Sequence, residues 1–365
     1  MKPPGKLTST EISALVELLR HQNESDKSIA ERLGMAPSNF AVVKKRLVEK
    51  GVLSEQIRIN MHRVSDARVA SLVWIEYNRP IRSLLKKEID WVRSHMPVAY
   101  TYGSQDWSLN IDYFKSFEDA ENMRLKLAEH MQQKLAPYVS NHMWKILPMA
   151  HLVTCTFKSR LAEYALTHKL AKPEHSTMAS GGVCQRAETP ENMPSLNLTE
   201  KKVLVAMRRF PTLKKSEVAK KVGIQQSSMS EVFRQLQRKG VINYTRTINP
   251  TRLPGRDIAT FSWIELNRPM IGDETQNLIN EIVETTPQLF KLHHTRTFIF
   301  INSFFYSLEK AESSHIRLLE RFGNNIKSFN FKIIPCAHLT LDYAPYFLEH
   351  LFDVHFAQYG TPAEK

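Results

Sequence analysis

The sequence predicts an α+β fold of two tandem modules. Each is a three-helix unit with a β wing, followed by a unit in which strands and helices alternate. Three observations predict this. The chain repeats itself: shifted by 189 residues, Leu7–Pro80 lies over Leu196–Pro269 without a gap, with 24 identities in 74 positions. The first part of each copy carries helical spacing punctuated by glycines. The second part carries strand-length apolar runs separated by helical ones.

The repeat sets the boundaries. Trp74-Ile75-Glu76-x-Asn78-Arg79-Pro80 falls on Trp263-Ile264-Glu265-x-Asn267-Arg268-Pro269. With small gaps, Lys145-Ile146-Leu147-Pro148-x-Ala150-His151-Leu152 then meets Lys332-Ile333-Ile334-Pro335-x-Ala337-His338-Leu339. The expected parts are 1–65, 66–171, 195–254 and 255–365. Residues 172–194 between the copies are rich in proline, glycine and small polar residues and have no regular period. That composition predicts a flexible linker.

In copy one, Thr10 is suited to cap a helix whose apolar positions are Ile12, Leu15, Leu18 and Leu19. A second helix spans Asp26–Leu33 and stops at Gly34. Ser38 is suited to cap a third, which carries Phe40, Val43 and Leu47 on its inner stripe and ends at Gly51. A β segment, Val52–Asn60, follows. Copy two repeats the order: a Thr199 cap, a helix to Phe210, a helix Lys215–Val222, a turn at Gly223, and a helix Ser227–Lys239. Gly240 stops that helix before a strand to Ile248, and its expected inner stripe is Met229, Val232 and Leu236. Three short helices, a glycine turn and a wing describe a winged helix-turn-helix, whose third helix is sized for the DNA major groove.

The second parts read strand, helix, strand, strand, helix, strand. Copy one gives Arg68–Tyr77, Ile81–His95, Val98–Gly103, Ser108–Phe114, Phe117–Ala136 and His142–Leu147. Copy two gives Ile258–Leu266, Glu274–Thr285, Leu289–His294, Thr297–Phe304, Leu308–Phe322 and Ile326–Ile334. This is the order of the ferredoxin-like βαββαβ sandwich. A further helix is expected after each, around Phe157–Leu170 and Pro345–Gln358.

Lys and Arg exceed Asp and Glu by 50 to 37, a net charge of +13 that favours a polyanionic partner. The excess is uneven. Leu7–Val64 holds nine cations and seven anions, whereas Leu196–Leu253 holds thirteen and three. The second helix-turn-helix is therefore expected to supply most of the affinity for duplex DNA. Its expected contacts are Gln226, Ser227, Ser228, Ser230, Glu231, Arg234 and Arg238 toward bases, and Lys214, Lys215, Lys220, Lys221 and Arg246 toward phosphates. In copy one the corresponding face shows Ser38, Asn39, Val42, Lys45 and Arg46.

No apolar run reaches membrane-spanning length, and Met1–Leu7, which has no apolar core, is not expected to act as a signal peptide. Cys155, Cys184 and Cys336 are widely spaced, form no Cys-x-x-Cys pair and cannot all pair with one another. This fits a reducing cytoplasm and argues against a zinc site. No glycine-rich phosphate loop is present. His151 and His338 recur at equivalent places but lack acidic or thiol partners at ligand spacing. His293 and His294 are adjacent on a strand, so their rings face opposite ways and cannot chelate together. Trp74 and Trp263 read as core or sheet-interface residues, and Glu76 and Glu265 as strand-end partners of Arg79 and Arg268. No catalytic residue, metal or cofactor is expected from these patterns.

A winged helix-turn-helix followed at once by a βαββαβ unit resembles the Lrp/AsnC (leucine-responsive, feast/famine) transcription regulators. The resemblance covers about 10–158 and 199–345. It implies a sandwich that dimerises through its sheet and takes an amino acid near that interface. Gly103-Ser104-Gln105-Asp106 matches the family's Gly-x-x-Asp between the second and third strands, which makes Gly103 and Asp106 the implied effector residues. His294-Thr295-Arg296-Thr297 lacks the motif, and a tandem duplication departs from the family's single-module subunit. The expected function is a cytoplasmic, sequence-specific regulator of transcription. It would pair its two sandwiches internally, read an asymmetric site of two half-sites on double-stranded DNA, and have no enzymatic activity. Association of whole chains into a homo-oligomer stays open. Two alternatives stand beside it. Some haem-pathway decarboxylases resemble the same fold, but their kind of His/Arg cluster is not found around Val98–Asp112. An adaptor that has lost DNA binding is the other.

Overall fold

A computed structural model describes residues 7–22, 24–78, 91, 98–158, 161–162, 183–186, 193–210, 213–253, 256–286, 288–342 and 347–354. The chain opens with α1 (Ser9–Arg20), α2 (Asp26–Arg32), α3 (Pro37–Glu49) and β1 (Leu53–Ile59). Next come β2 (Val69–Tyr77), β3 (Val98–Ser104), β4 (Trp107–Phe114), α4 (Phe117–His130) and β5 (Val139–Pro148). Two short strands follow, β6 (Val153–Thr156) and β7 (Val183–Arg186). The order then recurs as α5 (Leu198–Arg209), α6 (Lys215–Val222), α7 (Gln226–Arg238) and β8 (Ile242–Ile248). After it come β9 (Ile258–Leu266), α8 (Glu274–Thr285), β10 (Leu289–His294), β11 (Phe298–Phe305), α9 (Leu308–Phe322) and β12 (Ile326–Pro335). The last elements are β13 (Thr340–Asp342) and α10 (Phe347–Phe352). The helix expected at Ile81–His95 lies outside the described residues except for Trp91, which is helical. No described helix is long and apolar enough to cross a membrane.

Helix starts differ from the sequence reading for a physical reason. A capping box needs a glutamate three residues after the cap. Counting back from Glu11 and Glu200 reaches Thr8 and Asn197, not Thr10 and Thr199. The Thr8 hydroxyl accepts from the Glu11 N–H, and the Glu11 carboxylate accepts from the Thr8 N–H at 2.7 Å. Asn197 and Glu200 repeat the exchange. Both glutamates are buried, and each also accepts from the lysine at the end of the third helix: Lys50 on Glu11 and Lys239 on Glu200, both at 2.7 Å. Helix α3 starts with Pro37 behind an Ala36 cap and α7 starts behind Gln225, so neither Ser38 nor Ser227 is a cap. The inner stripe of α7 is Met229, Phe233 and Leu236, with Val232 only half-buried.

The chain forms two compact units, and neither is one continuous stretch. The first gathers described residues within 1–58, 151–186 and 244–338; the second gathers those within 59–150, 187–243 and 339–365. In the first unit the sheet order is β12-β9-β11-β10-β6-β7, and in the second β13-β3-β4-β2-β5. Four adjacent strands of each, β12-β9-β11-β10 and β3-β4-β2-β5, follow the ferredoxin-like order, and one edge is extended by β6 and β7 in the first sheet and by β13 in the second. Strand β6 pairs antiparallel with β10, and β13 with β3. Each strand that follows the Pro-x-Ala-His-Leu turn thus completes the sheet formed by the other half of the sequence. The wing strands β1 and β8 pair with each other.

The segment read as a linker contains β7, which pairs with β6. Cys155 and Cys184 sit opposite each other in that pair and are joined by a disulfide, so the cysteines are not all free thiols. Cys336 remains free and buried.

Both sheets place one aromatic pair at equivalent positions. Trp74 meets Trp107 edge-on at 5.0 Å, and Trp263 meets Phe298 edge-on at 4.8 Å. Such pairs add about 0.5–1.5 kcal/mol beyond their buried area.

One buried acid stands out in the second unit. Asp112 of β4 is fully buried opposite Ser71 of β2. Its Oδ2 accepts from the Ser71 hydroxyl at 2.9 Å, while Oδ1 has no hydrogen-bond partner. Burial pushes its pKa up to about 7, with the Ser71 bond opposing only in part. Because the folded pKa exceeds the unfolded one, the stabilising contribution is complete below the ordinary carboxylate range and is lost as pH rises toward about 7. Asp112→Asn should therefore flatten the pH dependence of stability over that window and stabilise the protein at alkaline pH. The urea midpoint measured against pH checks this.

A candidate active site on the sheet of the first unit

Strand β10 alternates its faces. Leu292 joins the apolar cluster with Ile279 and Ile282 of α8 and Leu318 and Phe322 of α9, so this face meets the helices. Lys291 and His293 lie on the opposite face. Register places Lys291 between Thr156 of β6 and Asn302 of β11, and His293 between Thr154 and Phe300. Phe261 and Trp263 of β9 extend the two rows. Two lateral rows of polar and aromatic groups therefore share one sheet face.

The geometry is specific. His293 Nδ1 and the Thr154 hydroxyl are 3.0 Å apart. Asn302 is fully buried; its Nδ2 donates to the Thr260 carbonyl at 3.3 Å, and its Oδ1 has no hydrogen-bond partner. Lys291 is half-buried, and burial, reinforced by the charges of Arg58 and Lys158, lowers its pKa to about 7. Lys158 follows β6 by two residues and is buried. Burial and Arg58 lower it to about 7 as well. An ammonium poised near neutrality can give and take a proton at working pH.

The second unit carries no such group at matching register. Tyr100 and Ile111 pair where Lys291 and Asn302 do, and Tyr102 stands where His293 does. Sequence reasoning dismissed His293 as a chelator and passed over Lys291. The usable signal was the replacement of Tyr, Tyr and Ile in one copy by Lys, His and Asn in the other.

The residues expected to contact DNA are placed as follows. Ser38, Asn39, Val42, Lys45 and Arg46 are exposed on α3. Gln226, Ser227, Ser228, Ser230, Arg234 and Arg238 are exposed on α7. Glu231 holds both arginines, Arg234 at 2.7 Å and Arg238 at 2.9 Å. Lys214, Lys215, Lys220 and Lys221 are exposed at α6, with Lys215 over the Phe233 ring and Lys221 over Phe210. Arg246 is turned inward and is no phosphate contact. It pairs with Asp26 at 2.8 Å and Glu55 at 3.2 Å and donates to the carbonyls of His21 and Glu24.

Gly103 lies against the added strand. The Thr340 hydroxyl donates to its carbonyl at 3.0 Å, and a Cβ there would sit 3.3 Å from that oxygen. Asp106 sits in the β3–β4 turn, where it accepts from the Ser104 hydroxyl at 2.6 Å. Both therefore have structural work at a strand edge and a turn. His151 and His338 are exposed. Arg268 pairs with Glu274 at 2.8 Å rather than with Glu265, and Glu76 accepts from the Trp74 indole; Arg79 lies outside the described residues.

No family model and no curated protein matches the chain. Among solved structures, it is similar to the siroheme decarboxylase NirDL, with 12% identity and a TM-score of 0.49 over 94% of this chain and 98% of that one. It is also similar to a transcriptional regulator of Neisseria meningitidis in complex with L-methionine (14% identity, TM-score 0.30), over 38% of this chain and 90% of that one. E. coli AsnC gives 16% and 0.29, over 39% and 93%. The expectation of a chain without enzymatic activity is corrected by this finding: the decarboxylase aligns with 94% of this chain, whereas the two regulators align with 38% and 39% of it.

Proposed function

We propose that the chain is a duplicated regulator-type module that carries an enzyme site on one of its two sheets. The supporting observation is the sheet face shared by Lys291, His293 and Asn302, confined to the first unit and holding an ammonium of near-neutral pKa. The reaction class is decarboxylation with protonation. The bond from carbon to carboxylate breaks, CO2 leaves, and the electron pair left on carbon takes the proton of Lys291. Asn302, with its unpartnered Oδ1, orients the substrate through a donor group on the ligand. Thr154 fixes the ring of His293 beside it. An iron tetrapyrrole carboxylate, the substrate class in the name of the decarboxylase above, is the first compound to assay.

A second reading rests on its own observation. Leu196–Leu253 carries thirteen cations against three anions, and the α6–α7 face is exposed. This supports duplex DNA binding led by the second helix-turn-helix. The unlike third helices would make the site asymmetric. The two readings are compatible in one chain.

Two outcomes are expected. Purified protein should release CO2 from the tetrapyrrole, with kcat/KM level below about pH 7 and falling above it as Lys291 loses its proton. Lys291→Met should lower kcat by about 100-fold or more. Absence of CO2, or full activity in the variant, would sink the enzyme reading. For DNA, Lys220→Gln should weaken binding to all sequences alike and lower the salt slope by about 1, as read by fluorescence anisotropy across a salt series.

A further inference from the structure

The first unit carries three cations near the wing, where the Lys158 ammonium reaches the Arg246 carbonyl of β8 at 3.5 Å. Arg58 is near the end of β1, Lys158 lies just past β6, and Lys291 is in β10 opposite Thr156. They stand close enough for Arg58 to act on both lysines and for Lys158 to act on Lys291. Like charges gathered in a poorly solvated place repel, so their arrangement costs stability unless an anion joins them.

Among the described residues no anion pairs with two of the three. Lys158 is only 8% exposed, and its ammonium makes one long hydrogen bond, 3.5 Å to the Arg246 carbonyl. Arg58 is half-buried and has neither a hydrogen bond nor an ion pair among the described residues. Acids on the neighbouring helix and wing are already engaged: Asp26 and Glu55 each hold Arg246, and each also holds Lys44, at 2.6 and 2.8 Å. Arg246 is neutralised by this arrangement, whereas among the described residues Arg58 and Lys158 are not.

We infer that Arg58 and Lys158, with Lys291 beside them, form a binding site for a small oxyanion, the carboxylate or phosphate group of a ligand. A guanidinium offers a flat pair of N–H donors and an ammonium a point charge, the combination that suits such a group. The burial of Lys158 selects a small ligand over a duplex backbone, whose phosphates do not reach an 8% exposed side chain. The site shares Lys291 with the proposed active site but stands whether or not turnover occurs there.

Its occupancy depends on pH through groups that face it from each strand. These are Arg58 on β1, Lys291 on β10 and Lys158 itself; the Arg246 charge on β8 is already paired. Below about pH 7 all three cations are present. Above it the lysines lose their protons and Arg58 alone remains charged.

The experiment is isothermal titration calorimetry of the full chain with inorganic phosphate and, separately, citrate. Sodium chloride at matched ionic strength is the control. Expected is saturable binding of one anion per chain by at least one of the two, tighter by tenfold or more at about pH 6 than at about pH 8.5. Lys158→Met and Arg58→Gln should each weaken it at least tenfold, and Lys158→Arg should restore it. Circular dichroism of the variants without anion confirms folding, and Lys158→Arg covers the case in which Lys158→Met is misfolded. Phosphate binding with citrate inert would assign a phosphate ligand, and the converse a carboxylate. Heat no greater than that of chloride, or binding unchanged in both charge-removing variants, would overturn the inference. Anion binding without CO2 release would leave this site standing and remove the enzyme reading alone.

Discussion

Unpaired sheet edges are the constraint on which the rest of this structure depends. A four-stranded ferredoxin-like sheet ends in a strand whose outer N–H and C=O groups need partners, and a bare edge invites pairing with another chain. Here β10 and β3 are those strands, and each is covered from the other half of the sequence, by β6 and β13. The covering does more than close a ladder. Strand β6 brings Thr154 to His293 and Thr156 beside Lys291, so the candidate site is assembled by the same pairing that hides the edge. On the other sheet a Cβ at position 103 would stand 3.3 Å from the Thr340 hydroxyl of β13, which would have to shift to admit it.

Charge is handled in three ways across the molecule. The box glutamates, Glu11 and Glu200, are buried but satisfied twice, by a cap N–H and by a lysine ammonium. Arg246 is buried among two carboxylates and two carbonyls, which meets the demand of its guanidinium. Among the described residues the Lys158 ammonium and the half-buried Arg58 are left short of acceptors. The first two patterns are what a fold needs to stand. The third is what a ligand-binding surface needs, since groups already satisfied by the protein have little left to offer a ligand.

Much of the fold was legible in the sequence because its signals are local. Glycine stops, the helical stripes of α1 and α3, and the order of strands and helices all depend on neighbours in the chain. What escaped was non-local. Nothing in Val153–Thr156 or Thr340–Asp342 reveals that these strands pair with the distant half, because a short apolar strand carries no address. The same holds for the disulfide, whose partners are 29 residues apart, Cys184 lying in the segment that reads as linker. Arg246 looked like a phosphate ligand because side-chain chemistry gives no sign of direction; only the acids of α2 and β1 turn it inward. The candidate site was hidden for a further reason. Its residues were sought around the Gly-x-x-Asp turn of the second unit, whereas Lys291, His293 and Asn302 stand in the first.

The exchange of edge strands has a consequence for how the polypeptide is made. Thr340 meets Gly103 across 237 residues of sequence. As the ribosome extends the chain from its N-terminus, the sheet of β2 to β5 is finished long before β13 emerges. Through most of translation that sheet carries an open edge. Strand β10, by contrast, finds β6 already synthesised and can pair as soon as it appears. The two sheets therefore mature in an order set by the genetic message rather than by their own stability, and the half made first is the last to be sealed.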